Sequence, residues 1–200
     1  MPKSQLKIMW SWVKNTMKLV IGITGSTGVI YGVRILEVLK KCNVQTHVVI
    51  TEWAKKCLAM ETDYTIEQLK SMATEYSDDT NMASGISSGT FKHDGMIVIP
   101  CSMKTLSAVA NGYDETLVAR AAGVTIKEMR KLVLVTRETP LSAIHLENML
   151  KLARLGVVMM PPVPGFYTKP KSIDEIVDFA VGKCLDIFDI DHGLYKRWGS

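Results

Sequence analysis

The sequence predicts an α/β fold in which a mostly parallel sheet carries helices on both faces. Three observations lead there. Short apolar runs rich in β-branched residues alternate with segments whose apolar residues recur at helical spacing. The first run, KLVIGIT at residues 18–24, passes directly into a glycine loop. A chain of 200 residues, 47% of them hydrophobic, is also long enough to bury one compact core.

Residues 18–24 read as a buried parallel strand, because they are apolar without alternation. After Gly28, Val29, Ile30, Val33, Ile35, Leu36 and Leu39 keep helical spacing until Lys40, Lys41 and Asn43 close the segment. The unit then repeats: strand 44–51 with helix 52–60, and strand 94–100 with helix 102–110. A helix over 115–129 leads to strand 131–136 and helix 141–155. A fifth strand at 157–160 and a closing helix at 173–187 complete the chain. Right-handed crossovers between parallel strands place the helices on both faces. No linker or internal repeat divides residues 18–200, which are expected to form one domain. Residues 1–17 are expected to be a loose extension, too broken in hydropathy for a signal peptide or membrane span.

Composition narrows the function. A net charge of +4 scattered along the chain, with no basic block, argues against a nucleic-acid partner. Cys42, Cys57, Cys101 and Cys184 form no CxxC pair, which is expected of reduced thiols in a cytoplasmic protein. The histidines at 47, 93, 145 and 192 lack metal-ligand spacing, so no metal is expected.

Four groups of residues are candidates for chemistry. GITGSTG at 22–28 joins a strand to a helix, where glycines admit a ligand and the helix N-terminus offers N–H groups to an anion. The alternative is a tight β-α turn. PCSMKT at 100–105 holds Ser102, a natural N-cap, among further hydroxyls and Lys104. TRETP at 136–140 places Arg137 and Glu138 just past a buried strand, as a phosphate fork and a proton carrier or as a surface ion pair. Arg120 and Lys127, seven apart on one helix, project from roughly one face, as an anion site or a solvated stripe. The proline- and glycine-bearing stretches 84–89 and 160–167 are shape-fixing loops. Tyr167, Lys183 and Trp198 have no motif spacing of their own.

The strings GITGSTGVIYG, ISSGTF, PCSMKTLS, RAAGVTIKEMRKLVLVTRETPLS, HLENML and MPPVPGFY occur in that order. Together they resemble the UbiX-like flavin prenyltransferases, a group long called phenylacrylic or hydroxybenzoate decarboxylases, over about residues 18–198. The resemblance implies a flavodoxin-like or Rossmann-like three-layer sandwich, assembled as a dodecamer with active sites shared between subunits. It implies transfer of a dimethylallyl group from dimethylallyl monophosphate to N5 and C6 of reduced FMN, the product leaving for a UbiD-like decarboxylase. Gly25, Ser26 and Thr27 would lie against the flavin. Thr51 and Arg137 would hold its phosphate, and Ser102, Met103, Lys104 and Thr105 would complete the pocket. Arg120, Lys127, Glu138, Tyr167 and Lys183 would form the prenyl-phosphate site. There the cations and the tyrosine hydroxyl neutralise the leaving phosphate, Glu138 moves a proton, and Trp198 supplies an aromatic wall.

Three positions depart from the family pattern. Gly123 stands for an aspartate, Met129 for a basic residue, and Lys183 for a frequent arginine, keeping the charge without the bidentate fork. Two further functions compete. One is direct decarboxylation of an aromatic acid. The other is an NAD(P)-dependent reductase, whose cofactor loop TGSTG resembles and which pairs a tyrosine with a lysine four residues on.

Overall fold

The computed structural model describes residues 16–199, so the expected extension lies almost wholly outside the described residues. The strands are β1 (Lys18–Ile23), β2 (Gln45–Ile50), β3 (Glu75–Asp78), β4 (Gly95–Cys101), β5 (Lys131–Thr136) and β6 (Val158–Met159). The α-helices are α1 (Val29–Lys41), α2 (Glu52–Glu61), α3 (Ile66–Met72), α4 (Met103–Asn111), α5 (Leu117–Lys127), α6 (Ala143–Ala153) and α7 (Ile173–Asp186). Every strand pairing is parallel, in the order β3-β2-β1-β4-β5-β6.

The strands sort their side chains by period two into two cores. Leu19, Ile21, Ile23, Ile97, Ile99, Val133 and Val135 face α1 and α7. Val20, Met96, Val98, Leu132 and Leu134 face the side formed by α4 and α5. Central strands buried on both sides need apolar residues at every position, which is why β1, β4 and β5 read as unbroken apolar runs.

Two elements escaped the sequence reading. β3 is the polar tetrapeptide EYSD at the sheet edge, where only one neighbour and partial burial are required. α3 begins at a capping box in which Thr65 Oγ1 accepts from the Gln68 amide and Gln68 Oε1 accepts from the Thr65 amide. That Thr-x-x-Gln signal was present in the sequence. The sheet therefore has six strands rather than five. The helices expected over 115–129 and 141–155 are shorter at both ends, each beginning at an N-cap hydroxyl, Thr116 or Ser142.

The order 3-2-1-4-5-6 places the chain reversal between β1 and β4. At such a reversal the connections after the two strands run to opposite faces of the sheet, and open α/β sheets bind ligands in the crevice outside those carboxyl ends. Among the described residues no helix is long and apolar enough to cross a membrane.

Candidate active site

The β1 and β4 loops are stapled together at the crevice. Thr24 donates its hydroxyl to the Pro100 carbonyl at 2.8 Å, and the same oxygen accepts from the Ser102 amide at 2.8 Å. The Arg137 amide donates to the Cys101 carbonyl at 3.1 Å, tying in the loop after β5. Thr51 caps α2 by accepting from the Ala54 amide, and Ser102 caps α4 by accepting from that of Thr105. The Thr51 hydroxyl still has a proton to donate, and the Ser102 and Thr105 hydroxyls share a hydrogen bond at 3.1 Å that leaves one proton between them for a ligand.

Over the β2, β1 and β4 carboxyl ends lies a cavity of about 550 Å³. Gly25, Thr51, Ser102, Lys104 and Thr105 all line it. Met103 packs instead against the α4–α5 core, and Thr27 is exposed at the loop tip. Ser26 Oγ is buried with no partner among the described residues, and so is Thr136 Oγ1 at the end of β5. Unpartnered buried hydroxyls are costly, and two at this sheet edge mark places where a polar ligand atom fits. A cavity of this size, with hydroxyl donors and two helix N-termini at its floor, fits a flavin mononucleotide.

The glycine loop differs from expectation in two ways. The N-terminus of α1 offers no free anion site, because Glu61 Oε2 accepts from the amides of Gly28 at 2.8 Å and Val29 at 3.3 Å. Gly25 is glycine for a protein reason as well: a Cβ there would overlap Trp53 Cβ and lie 3.0 Å from the Trp53 carbonyl carbon. Trp53, 63% exposed, forms one wall of the cavity. Neither Glu61 nor Trp53 carried a sequence signal, since both act on the loop from α2.

A second concavity opens past β5 and β6 at the same sheet edge. It is an apolar recess of about 180 Å³ lined by Val135, Met160, Pro161, Phe179 and Lys183 among others. Beside it Tyr167 packs edge-on against Phe179 at 5.8 Å and against Trp198 at 5.2 Å between ring centres. Lys183 Nζ lies 3.8 Å from Asp186 Oδ2. Glu138 is exposed after β5, its Oε1 accepting from the Thr139 amide at 3.0 Å.

Arg120 and Lys127 do share a face of α5, but neither lines either concavity. Arg120 donates to the Ser87 carbonyl and pairs with Asp114, both at 3.0 Å. Lys127, at the far end of the helix, pairs with Glu128 at 2.5 Å above Gly89. Gly123 faces the same Asp114: a Cβ there would lie 3.1 Å from its Oδ1, so the glycine leaves that carboxylate to Arg120. Met129 is exposed in a left-handed turn just past α5. The chain contains one Tyr-x-x-x-Lys spacing, Tyr167 and Lys171. Left-handed Lys169 and Pro170 interrupt it, so no helix carries the two to one face as the reductase alternative requires.

Fold and site together define the flavoprotein class, and the family model described as Flavoprotein matches residues 11–185. Among the relatives, "Flavin prenyltransferase PAD1, mitochondrial" of Saccharomyces cerevisiae is 51% identical over 181 residues, 90% of this chain and 75% of its own. The crystal structure of AnUbiX (PadA1) in complex with FMN and dimethylallyl pyrophosphate superposes with a TM-score of 0.91 at 46% identity, covering 92% of this chain and 98% of that one. A dodecameric FMN-dependent UbiX-like decarboxylase from Escherichia coli O157:H7 gives 0.90 at 50% identity, covering 92% and 100%. The chain belongs to the UbiX-like flavin prenyltransferase family.

Proposed function

We propose that this chain binds reduced FMN in the large cavity and joins to its N5 and C6 the five-carbon group of dimethylallyl monophosphate. The product would go to a UbiD-like decarboxylase. The observation that carries this reading is the pair of concavities on one sheet edge: a roomy one over β2, β1 and β4 with Thr51, Ser102, Lys104 and Thr105 set in a largely apolar wall, and a small apolar one beside Lys183.

Gly25, Ser26 and Thr27 lie against the ring system, and Thr51 and Arg137 hold the flavin phosphate. Ser102, Lys104 and Thr105 close the pocket, with Met103 packed behind them against the core. The orphaned hydroxyls of Ser26 and Thr136 support this placement. Bound reduced FMN supplies the nucleophilic ring atoms. The chain's own groups bind and discharge the donor: Arg120, Lys127, Lys183 and the Tyr167 hydroxyl neutralise its phosphate, so that the C–O bond breaks with less charge to strand. Glu138 carries a proton between the flavin ring and the leaving phosphate, and Trp198 covers the allylic group.

α5 is 11 residues long, which puts Lys127 about 16 Å along the axis from the cavity end of the helix. Lys127 therefore acts at the site of a neighbouring copy, and the active enzyme is an oligomer, a dodecamer like the E. coli relative. We take residues 18–200 as one domain. Unpaired Cys42, Cys57, Cys101 and Cys184 support a reducing compartment, the cytoplasm.

The experiment is anaerobic incubation with reduced FMN and either dimethylallyl monophosphate or the diphosphate bound in AnUbiX, followed by the mass of the released flavin. Gain of one five-carbon unit from the monophosphate is expected. An unchanged flavin together with carbon dioxide released from a phenolic acid, with no partner enzyme added, would establish the decarboxylase alternative instead.

A further inference from the structure

The last ten described residues fold back across α7 and converge on one carboxylate. Asp186, the final residue of α7, has a side chain only 15% exposed. Its Oδ1 accepts from Arg197 Nη2 at 2.7 Å and from His192 Nε2 at 3.3 Å. Its Oδ2 accepts a short hydrogen bond from the Tyr195 hydroxyl. His192 can serve only as a donor to Asp186, because its Nδ1 accepts from the Leu194 amide at 3.0 Å and the ring proton must sit on Nε2. The crossing is built into α7 itself. Gly182 leaves room where a Cβ would come within 2.6 Å of the Tyr195 ring and 2.7 Å of His192.

From this clasp an aromatic chain runs to the donor end of the site. Tyr195 packs on Phe179 at 5.0 Å, Phe179 meets Tyr167 edge-on at 5.8 Å, and Tyr167 meets Trp198 at 5.2 Å. Trp198 is 82% exposed, so burial contributes little to holding it. The same carboxylate stands one turn below Lys183. With both of its oxygens already accepting from the tail, it keeps the Lys183 ammonium at ion-pair range, 3.8 Å, rather than in a hydrogen bond.

We infer that Asp186 is a positioning residue for the prenyl donor: it anchors the tail that sets Trp198 against Tyr167, and it tethers Lys183 while leaving that cation free to pair with the donor phosphate. It touches neither flavin nor donor. The inference rests on the prenyltransferase reading and adds to it a residue that governs donor binding from outside the pocket.

The test uses the full chain in its oligomeric form, as wild type, Asp186→Ala and Tyr195→Phe. Measured for each are the KM for dimethylallyl monophosphate, the Kd for FMN, and hydrogen exchange of the 190–199 backbone. Asp186→Ala is expected to raise the donor KM by about tenfold and to speed exchange of the tail, with FMN affinity held within about twofold. Tyr195→Phe, which removes a single hydrogen bond, should shift KM in the same direction by a smaller factor, and it carries the test if the alanine variant fails to fold. A donor KM that stays put while the tail loosens overturns the inference, as does a parallel loss of FMN and donor binding, which marks a purely structural role. Wild-type enzyme that leaves FMN unmodified removes the prenyltransferase reading and this inference with it.

Discussion

Glu61 Oε2 sits 2.8 Å from the Gly28 amide nitrogen, so the anion-binding end of α1 is filled by a carboxylate from the end of α2. The charge is well placed against the positive end of a helix dipole, and it satisfies amides that would otherwise be orphaned. Glu61→Gln should therefore cost about 1 kcal/mol and lower the melting temperature by about 2–4 °C, as thermal denaturation will show. An unchanged melting temperature would mean that this bridge does not hold the loop.

Gly25 and Trp53 make a second, sharper case. An added Cβ at residue 25 meets the Cβ and backbone of Trp53 rather than the tip of its ring. Gly25→Ala should destabilise the fold by about 1–3 kcal/mol, and adding Trp53→Ala should not restore it, because the obstructing atoms remain. Denaturant titration of the single and double variants decides this. Full rescue by Trp53→Ala would show that the indole was the obstacle.

Stability should fall on mild acidification. Burial lowers the pKa of His47, opposed by Glu75 3.0 Å from its Nδ1 and assisted by Lys18. Burial likewise lowers that of His93, opposed by its bond to the Gly95 carbonyl and by Asp94, and assisted by Arg130 and His47. A histidine with a folded pKa below its unfolded value near 6.5 takes up a proton more readily when unfolded. Its contribution is complete above that value and is lost as pH drops toward the folded pKa, at up to about 1.4 kcal/mol per pH unit for each proton. Denaturant midpoints at pH 5, 6 and 7 should rise in that order, and His47→Gln should flatten the trend. A midpoint that rises on acidification would contradict it.

Glu138 is exposed and bonded only to its neighbour's amide among the described residues, so its removal should spare the fold. Glu138→Gln keeps the shape and loses the proton carrier. FMN binding should survive while the prenylation rate drops by about 10²-fold or more in single-turnover measurements. Retained turnover would remove Glu138 from proton transfer.

How much of this was legible in the sequence follows from where the information lies. β1, β4 and β5 were readable because strands buried on both faces must be continuously apolar, and Ser102 because a cap residue sits where a strand hands over to a helix, whereas Thr51, the cap of α2, was named only through the family resemblance. β3 was not, because an edge strand pairing on one side tolerates Glu75 and Asp78. Within the site, the loop residues Gly25, Ser102, Lys104 and Thr105 were found from local pattern. Glu61, Trp53 and Asp186 were missed because their key contacts run to a different element, from α2 to the loop after β1 for Glu61 and Trp53 and from α7 to the C-terminal tail for Asp186, which no local spacing encodes. Lys127 was visible from its spacing with Arg120 as an anion site or a solvated stripe, and family resemblance alone favoured the anion site, since its own helix carries it away from the cavity.

The most direct test of the account is a structure of the assembled enzyme with FMN bound. The ring system should lie against residues 25–27, with its phosphate within hydrogen-bond distance of the Thr51 hydroxyl and the Arg137 guanidinium. A flavin seated away from the β1–β4 crevice, for instance in the polar groove of Arg34, Glu37 and Tyr64 on the α1 side, would contradict it.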